Sequence, residues 1–239
     1  MKNTVVFIVI IVMIFSCNFN IKSSNELVVL EEIKLNIKEP SGITYYKNHL
    51  YIASDYNGLV YKTNLKGEIV KKIPTDFTDI EGVAMDKNGN LFVVNENKRT
   101  FVKLKLNGET DKKYKIKGRQ KQHNSGLEGV CYSKKLDCFF IVNESLPREV
   151  MKISRKGKEK ESFKIDFAND LSGICFDEKT KNIWIVSDES QKIYEVSTKG
   201  VKLKDYKIPV NKAEGITINK DKIYVVSDAE NKLYVLKKP

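Results

Sequence analysis

Oxygen-bearing side chains recur at two fixed places along this 239-residue sequence. The first place is the residue directly before a glycine in a repeated short motif, occupied by Ser41, Glu81, Glu128, Ser172 and Glu214. The second lies thirteen to fifteen residues after each of those glycines and is occupied by Asp55, Asn95, Asn143, Asp188 and Asp228. Carboxylate, amide and hydroxyl oxygens without histidine or cysteine are the donors that a hard cation prefers, and Ca²⁺ takes six to eight of them.

These side chains form a metal site if the fold brings them together. Three glutamates at one narrow place repel one another and lose hydration unless they take up protons or a cation. We therefore predict a Ca²⁺ site with the ligands Glu81, Glu128, Glu214, Asn143, Asp188 and Asp228. A surrounding mouth for a further ligand is predicted from Ser41, Asp55, Asn95, Ser172 and Asn124. The alternative is that the Glu-Gly and Ser-Asp pairs are turn and bulge signals whose side chains bond to backbone.

Neighbouring residues are weaker candidates. Glu96, Glu144 and Glu189 directly follow three members of the second set; they either add ligands or cap the loop to the next strand, and the loop role is favoured. Residues 117–126 lengthen one repeat and either overhang the mouth or form a solvated lysine-rich loop. With only His49 and His123 available, a histidine dyad is excluded, and the sequence has no phosphate-binding loop, zinc-spacing cluster or Gly-x-Ser-x-Gly elbow.

The elements that position these residues follow from an internal repeat. The motif glycines are 40, 47, 44 and 42 residues apart, which is the period of a four-stranded propeller blade. After each glycine come a short strand, a polar turn, a nearly continuous apolar run, an alternating strand and a lysine-rich strand. Continuous apolar runs indicate strands covered on both faces. The sequence therefore predicts an all-β, five-bladed β-propeller.

The two ends of the repeat region predict how the ring closes. The last unit stops after its third strand at residues 232–238, whereas residues 27–37 supply a spare strand before the first motif. If this N-terminal strand completes the fifth blade, no blade keeps an unpaired edge. We predict a propeller over residues 27–239 after a linker at residues 18–26, because a sixth unit is not found in the sequence.

The N-terminal residues predict export. Lys2 precedes an apolar run at residues 5–15, which is shorter than the roughly 20 residues of a membrane span but typical of a signal-peptide core. The following Ser16-Cys17 completes a stretch that resembles a bacterial lipobox, although Phe15 replaces the usual small residue. We predict that residues 1–17 form a signal segment, that Cys17 is lipidated, and that the protein is anchored in a membrane of the cell envelope.

The other cysteines and the net charge are less informative. Cys131, Cys138 and Cys175 are odd in number, so a fully paired framework is excluded. One interpretation is a disulfide bond between Cys131 and Cys138 across a hairpin. The favoured interpretation is that the cysteines act as small apolar residues buried on strands. The formal charge of +11 comes from scattered lysines, which favours a solubilising surface over a polyanion site. We expect a monomer that does not bind nucleic acid.

The motifs as a whole resemble one family. Residues 40–45, 124–130, 170–174 and 213–216 are similar to the SdiA-regulated (YjiK-like) propellers, and the resemblance extends over residues 25–238. It implies a five-bladed propeller with bound Ca²⁺, an envelope location, a distant relation to NHL-repeat propellers and no established activity. The Glu of each Glu-Gly pair and the matching Asp or Asn are the residues that it implies as ligands.

Two functions from different classes follow. The favoured hypothesis is a binding module in which Ca²⁺ stiffens the mouth and a small ligand, glycan or envelope protein binds there. The alternative is a metal-dependent hydrolase of lactonase or phytase type, with Glu128 or Asp188 as the base. A base beside an open coordination position favours the enzyme, and a closed oxygen cage favours the structural role.

Overall fold

The computed structural model describes residues 25–118 and 126–239, which form twenty β-strands in five antiparallel four-stranded sheets. The fifth sheet contains the N-terminal strand and is made of β1 (Val29–Lys34), β20 (Lys232–Lys237), β19 (Lys222–Ser227) and β18 (Ala213–Asn219). The first contains β2 (Pro40–Tyr46), β3 (His49–Ser54), β4 (Leu59–Thr63) and β5 (Ile69–Pro74). The second contains β6 (Ile80–Met85), β7 (Leu91–Asn95), β8 (Thr100–Leu104) and β9 (Thr110–Lys115).

The remaining two sheets have the same order from the axis outward. The third contains β10 (Leu127–Ser133), β11 (Cys138–Asn143), β12 (Glu149–Ser154) and β13 (Glu159–Lys164). The fourth contains β14 (Gly173–Asp177), β15 (Asn182–Ser187), β16 (Lys192–Val196) and β17 (Lys202–Lys207). The inner strands β2, β6, β10, β14 and β18 contact one another in a closed ring, which confirms the predicted five-bladed propeller. In the described part of the chain, no helix has the length and apolar character needed to cross a membrane.

The sequence pattern explains why each strand takes its place in a blade. All residues of the apolar strand β7 are buried, because it lies between neighbouring strands and neighbouring blades. The outer strand β9 is almost wholly exposed and carries lysines, which discourage pairing of its free edge with another chain. The alternation from buried to solvated strands therefore reflects radial distance from the axis.

The ring closes as the sequence predicts, through the spare N-terminal strand. β1 pairs antiparallel with β20, with Val29 opposite Leu236 and Lys34 opposite Lys232. A buried ion pair between Lys238 and Asp177 also fastens the C-terminal end to the fourth blade. The fifth blade is thus built from both ends of the described chain, so opening the ring requires breaking a whole strand ladder.

The apolar core lies between the blades in five clusters, one at each blade interface. Trp184, which is 1% exposed, stacks on Tyr206 with ring centroids 5.7 Å apart. Phe92 and Phe139 meet between the second and third blades at 4.5 Å. Each buried side chain of this size contributes about 1.5–3 kcal/mol relative to an exposed one. This repeated packing holds the inner strands rigidly around the axis.

The five motif glycines close the axis. A Cβ atom added to Gly129 would lie 2.8 Å from the Cα of Gly173, and one added to Gly173 would lie 2.3 Å from the carbonyl oxygen of Glu214. Backbones approach so closely here that the space left between them is about 10 Å³. The predicted channel is therefore blocked at the glycine level, and the mouth above it is a cup with a floor.

The three described cysteines are buried and unbonded. Cys138 lies opposite Ser133 in the ladder, and Cys131 lies opposite Phe140, so the two cysteines do not face each other across the hairpin. The favoured interpretation, that they are small buried apolar residues, agrees with this arrangement.

Candidate functional site

The strand ladders define which residues are equivalent at the mouth. Pro40 pairs with Ser54, Ile80 with Asn95, and Leu127 with Asn143. In four blades the residue that pairs with the motif is the last residue of the second strand, namely Ser54, Asn95, Asn143 and Ser227; in the fourth blade the second strand ends at Ser187. The residues that follow them, and that share one place around the axis, are Asp55, Glu96, Glu144, Asp188 and Asp228.

This register separates Asn95 and Asn143 from the aspartates with which the sequence analysis grouped them. The Asn95 Nδ2 donates to the Asp79 carbonyl at 2.8 Å. The Asn143 Nδ2 donates to the Pro147 carbonyl at 2.8 Å, and its Oδ1 accepts from the Arg99 guanidinium at 2.5 Å. Neither amide lines the mouth. Both hold loop backbone in place, because a one-residue shift along a strand turns a side chain to the opposite face.

The mouth is an acidic cup of about 300 Å³. Nine carboxylates line this acidic cup, together with one serine and one lysine: Glu39, Asp55, Asp79, Glu81, Glu96, Glu128, Glu144, Glu214, Asp228, Ser41 and Lys212. The predicted ligands Glu81, Glu128, Glu214 and Asp228 are among them, whereas Asn143 and Asp188 are not. Of the predicted mouth residues, Ser41 and Asp55 line it and Asn95 and Ser172 do not.

Two groups of three carboxylates within the acidic cup have the spacing of a cation site. Asp55, Asp79 and Glu81 form the first triad, and within it one carboxylate oxygen from each residue lies within 4.8 Å of the others. The second triad, formed by Glu96, Glu128 and Glu144, meets the same limit. Oxygen ligands of Ca²⁺ lie about 2.3–2.6 Å from the ion, so opposite ligands are about 5 Å apart. Each triad can therefore surround a single ion.

Crowding raises the pKa values of these carboxyl groups. Burial, followed by repulsion from neighbouring carboxylates, holds the pKa of Glu81 and of Glu128 well above the usual range. The same two causes raise the pKa of Asp55 to about 6 and that of Glu144 to about 7. Burial raises the pKa of Glu214 to about 7, although nearby Lys212 lowers it. The ionised cup is thus costly without a neutralising partner.

Glu128 shows this cost most clearly. Its side chain is 9% exposed and has no hydrogen-bond partner among the described residues. Its neighbour Glu96, by comparison, accepts a hydrogen bond from the Gly126 amide at 2.7 Å. Ionising Glu128 in this place is costly, because burial and the neighbouring carboxylates disfavour the charged form and raise its pKa. A cation at the second triad would remove that cost.

The fourth blade contributes little to the acidic cup. Ser172 donates to the Asp170 carboxylate at 2.8 Å, and the same carboxylate accepts from Ser187. Asp188 accepts from the Gln191 amide at 3.0 Å and from the Ala213 backbone at 3.3 Å. These carboxylates are occupied within the blade. The site is therefore asymmetric, and the carboxylates that line it come from the first, second, third and fifth blades and the loops that follow their strands.

Glu39 and Asp79 are not among the site residues predicted from the sequence, and Glu96 and Glu144 are predicted mainly as loop residues. All four line the acidic cup. A signal for the first two exists. The residue two before each motif Ser or Glu is Glu39, Asp79, Gly126, Asp170 and Lys212. Glu39, Asp79 and Lys212 have positive φ angles of 44°, 139° and 48°. Positive φ angles strain residues other than glycine. That residues with side chains occupy these three positions indicates that the side chains have a role at the mouth.

Two residues of the predicted site, Cys17 and Asn124, lie outside the described residues.

Fold and site together define a five-bladed β-propeller with an acidic cup at one end of a closed axis. The sequence matches the SdiA-regulated family over residues 20–237, and the chain belongs to that family.

Solved structures support the fold. Glutaminyl cyclase from Myxococcus xanthus superposes with a TM-score of 0.71 at 11% identity, over 88% of this chain and 95% of that one. The structure of a nidogen/laminin complex superposes with a TM-score of 0.62 at 13% identity, over 84% of this chain and 76% of that one. Catalytically inactive virginiamycin B lyase from Staphylococcus aureus, with quinupristin, superposes with a TM-score of 0.55 at 17% identity, over 84% of this chain and 66% of that one. At these identities the likeness extends to the propeller architecture alone.

Proposed function

We propose that this protein is a Ca²⁺-binding propeller of the cell envelope that works as a binding module through its acidic cup. The observation that carries the proposal is the second triad, in which the buried and unpartnered Glu128 lies with Glu96 and Glu144 around a space of the right size.

The chemistry of the donors favours Ca²⁺ over other divalent ions. The acidic cup offers carboxylates and one serine hydroxyl, without a histidine or cysteine in its lining. Ca²⁺ accepts irregular sets of oxygens, whereas Mg²⁺ demands a near-ideal octahedron and Zn²⁺ selects nitrogen and sulfur. Glu96, Glu128 and Glu144 would hold the ion, which would neutralise them and stiffen the wall between the second and third blades.

The envelope location is proposed from the sequence of the N-terminal residues. The apolar run at residues 5–15 and the lipobox-like stretch ending at Cys17 support export and a lipid anchor. Because β1 begins at Val29, only a short segment would separate such an anchor from the propeller. A small ligand, a glycan or another envelope protein would meet the cup near the membrane.

Elemental analysis of residues 18–239 purified without added metal, followed by melting curves with chelator and with Ca²⁺, tests the cation proposal. We expect about one Ca²⁺ per chain and a chelator-sensitive melting temperature. Glu128→Gln should abolish the Ca²⁺-dependent rise, while the matched control Glu109→Gln, at an exposed hairpin ion pair, should keep it. Equal Ca²⁺ responses in both variants would refute the assignment.

A hydrolase remains the second candidate, favoured by the size of the cavity. About 300 Å³ exceeds what one ion needs, so space is left for a small substrate beside it. Of the two bases considered, Asp188 lies outside the cup lining and Glu128 lies within the triad. Turnover of a lactone and phosphoester panel that requires Ca²⁺ and is lost in Glu144→Gln would support this candidate, and no turnover would reject it.

A further inference from the structure

The outer strand of every blade contains one bulged residue. In each blade the ladder between the third and the outer strand shifts register once, and the shift leaves one residue of the outer strand unpaired. From the first blade to the fifth, these residues are Val70, Asp111, Lys160, Leu203 and Leu30. All five are exposed at the rim of the propeller. They are equivalent positions, so their residue types show what each blade presents to its surroundings.

The fourth and fifth blades present apolar side chains at this rim. Leu203 and Leu30 are 47% and 45% exposed, and the residue two positions before each, Val201 or Val28, is 60% exposed. The same two positions in the second and third blades are charged, with Glu109 and Asp111, and Lys158 and Lys160. The first blade has one residue of each kind, Glu68 and Val70. We call Val28, Leu30, Val201 and Leu203 the apolar edge; it belongs to two neighbouring blades.

A lysine-bearing strand joins the two halves of the apolar edge. β17 starts directly after Val201 and ends at Lys207, whose amide donates to the Asn25 carbonyl at 2.8 Å, while the Leu27 amide donates to the Lys207 carbonyl at 3.0 Å. The edge therefore continues from β17 to the residues that lead into β1. The ion pairs of β17 within the described residues involve Lys202 and Asp205, and Lys204 and Lys207 are exposed outside those pairs.

Two observations favour a lipid bilayer as the partner of this edge. The first is its chemistry, because exposed aliphatic side chains beside lysines match the boundary between acyl chains and anionic headgroups. The second is where the described chain starts. Asn25 lies three residues before Val28 and eight residues after Cys17, the predicted site of lipidation. Eight residues span at most about 29 Å, so an anchor at Cys17 would hold this edge close to the bilayer.

We propose that the apolar edge lies on the surface of an anionic bilayer, with its four aliphatic side chains at the headgroup boundary and Lys204 and Lys207 at lipid phosphates. This inference rests on the proposed function, because it takes the membrane anchor from it. Contact through the rim lays the propeller axis along the membrane. The acidic cup then opens parallel to the bilayer, where a partner in the same membrane reaches it from the side.

Sedimentation with vesicles tests this surface without the anchor. All twenty strands lie within residues 18–239, so that chain keeps the whole propeller and lacks Cys17. We expect it to bind vesicles of phosphatidylglycerol and phosphatidylcholine, and to bind less at high salt or to phosphatidylcholine alone. Leu30→Ser with Leu203→Ser should weaken binding at least about tenfold, because two aliphatic side chains lose their apolar contact. Asp111→Ser with Lys160→Ser, at the equivalent bulges and without a change of net charge, should bind as the wild type does.

A second experiment uses the lipidated full-length protein in the same vesicles. A fluorophore is attached at Leu30→Cys or, as the matched position, at Lys160→Cys; the three described cysteines of the natural chain are buried. We expect spin-labelled lipid to quench the fluorophore at position 30 and to leave the one at position 160 bright. Equal quenching at both positions would show that the propeller has no preferred side toward the bilayer, and would overturn the proposal.

The inference and the proposed function fail in different ways. If residues 18–239 do not bind anionic vesicles, or if the two double variants bind equally, the bilayer contact is overturned, while Ca²⁺ binding and lipidation are untouched. If Cys17 takes up no fatty-acid probe while vesicle binding persists, the anchor is overturned and the lipid-binding edge is supported. A dimer of residues 18–239 that Leu30→Ser with Leu203→Ser dissociates, without vesicle binding, would make the edge an interface between copies and overturn the proposal.

Discussion

Without metal, the folded protein should lose stability as the pH rises from 5 to 8. Glu214 is the clearest contributor, because burial raises its pKa from 4.5 to about 7. A carboxyl with a raised folded-state pKa binds its proton more tightly in the folded protein than in the unfolded chain. Its stabilising effect is complete below the unfolded pKa and is lost as the pH rises through the folded pKa.

The magnitude follows from the shift. A difference of about 2.5 pKa units corresponds to about 3 kcal/mol at 1.36 kcal/mol per unit. For a domain of this size, 1 kcal/mol changes the melting temperature by about 2–4 °C, so Glu214 alone should lower it by about 6–12 °C across this range. Groups with lowered pKa values, such as Asp86 and Asp177, titrate below this window and do not mask the effect.

The assay is a series of thermal melts in chelator from pH 4.5 to pH 8.5. Glu214→Gln should make the dependence shallower, because an amide does not titrate while the other cup carboxyls with raised pKa values still do, and Glu109→Gln should leave the wild-type slope. Saturating Ca²⁺ should reduce the slope, since the carboxylates of the second triad ionise more readily when they bind metal, whereas Glu214 lies outside that triad. A metal-free melting temperature that stays constant or rises between pH 5 and pH 8 would refute the reasoning.

Three further predictions concern the axis, the C-terminal end and the N-terminal segment. Gly129→Ala should lower the free energy of unfolding in urea by about 3 kcal/mol or more, because the new Cβ meets Gly173 at 2.8 Å; an unchanged midpoint would show that the ring can spread. Lys238→Met should cost about 3 kcal/mol by leaving the buried Asp177 carboxylate unpaired, and the double variant with Asp177→Asn should recover part of that loss in the same assay. Cys17→Ser should move the protein from the membrane fraction to the soluble fraction and abolish labelling by a fatty-acid probe; persistent labelling would contradict lipidation at this residue.

Much of the fold could be predicted because propeller blades repeat along the chain. The regular spacing of the motif glycines indicates five units, and the spare strand at residues 27–37 predicts the pairing of β1 with β20. The repeat period and the residue types within each repeat were enough to predict these features, since each blade buries its strands against the next blade in the same way. The sequence shows that a glycine recurs in each motif. Only the coordinates show why glycine is needed there, which is that the backbones of the inner strands are in contact.

The site was predicted less completely. Glu81, Glu128 and Glu214 lie in the predicted mouth, because the residue before each glycine has the same place in every blade. Asn95 and Asn143 do not, since counting from the glycine cannot reveal that they align with Ser54 rather than Asp55. The hairpins differ in length, so the number of residues from the glycine to the mouth differs by one or more between blades. A shift of one residue along a strand turns the side chain to the opposite face.

The sequence alone determined the number of blades, the strand that closes the ring and the oxygen chemistry of the mouth, because these depend on periodicity and residue type. Tertiary structure alone decided which carboxylates share a space. Asp79 and Glu144 are 65 positions apart in number yet line one cavity, and the closed glycine floor beneath them turns a channel into a cup. Proximity around an axis depends on how blades pack, and packing is a property of the whole ring rather than of any one repeat.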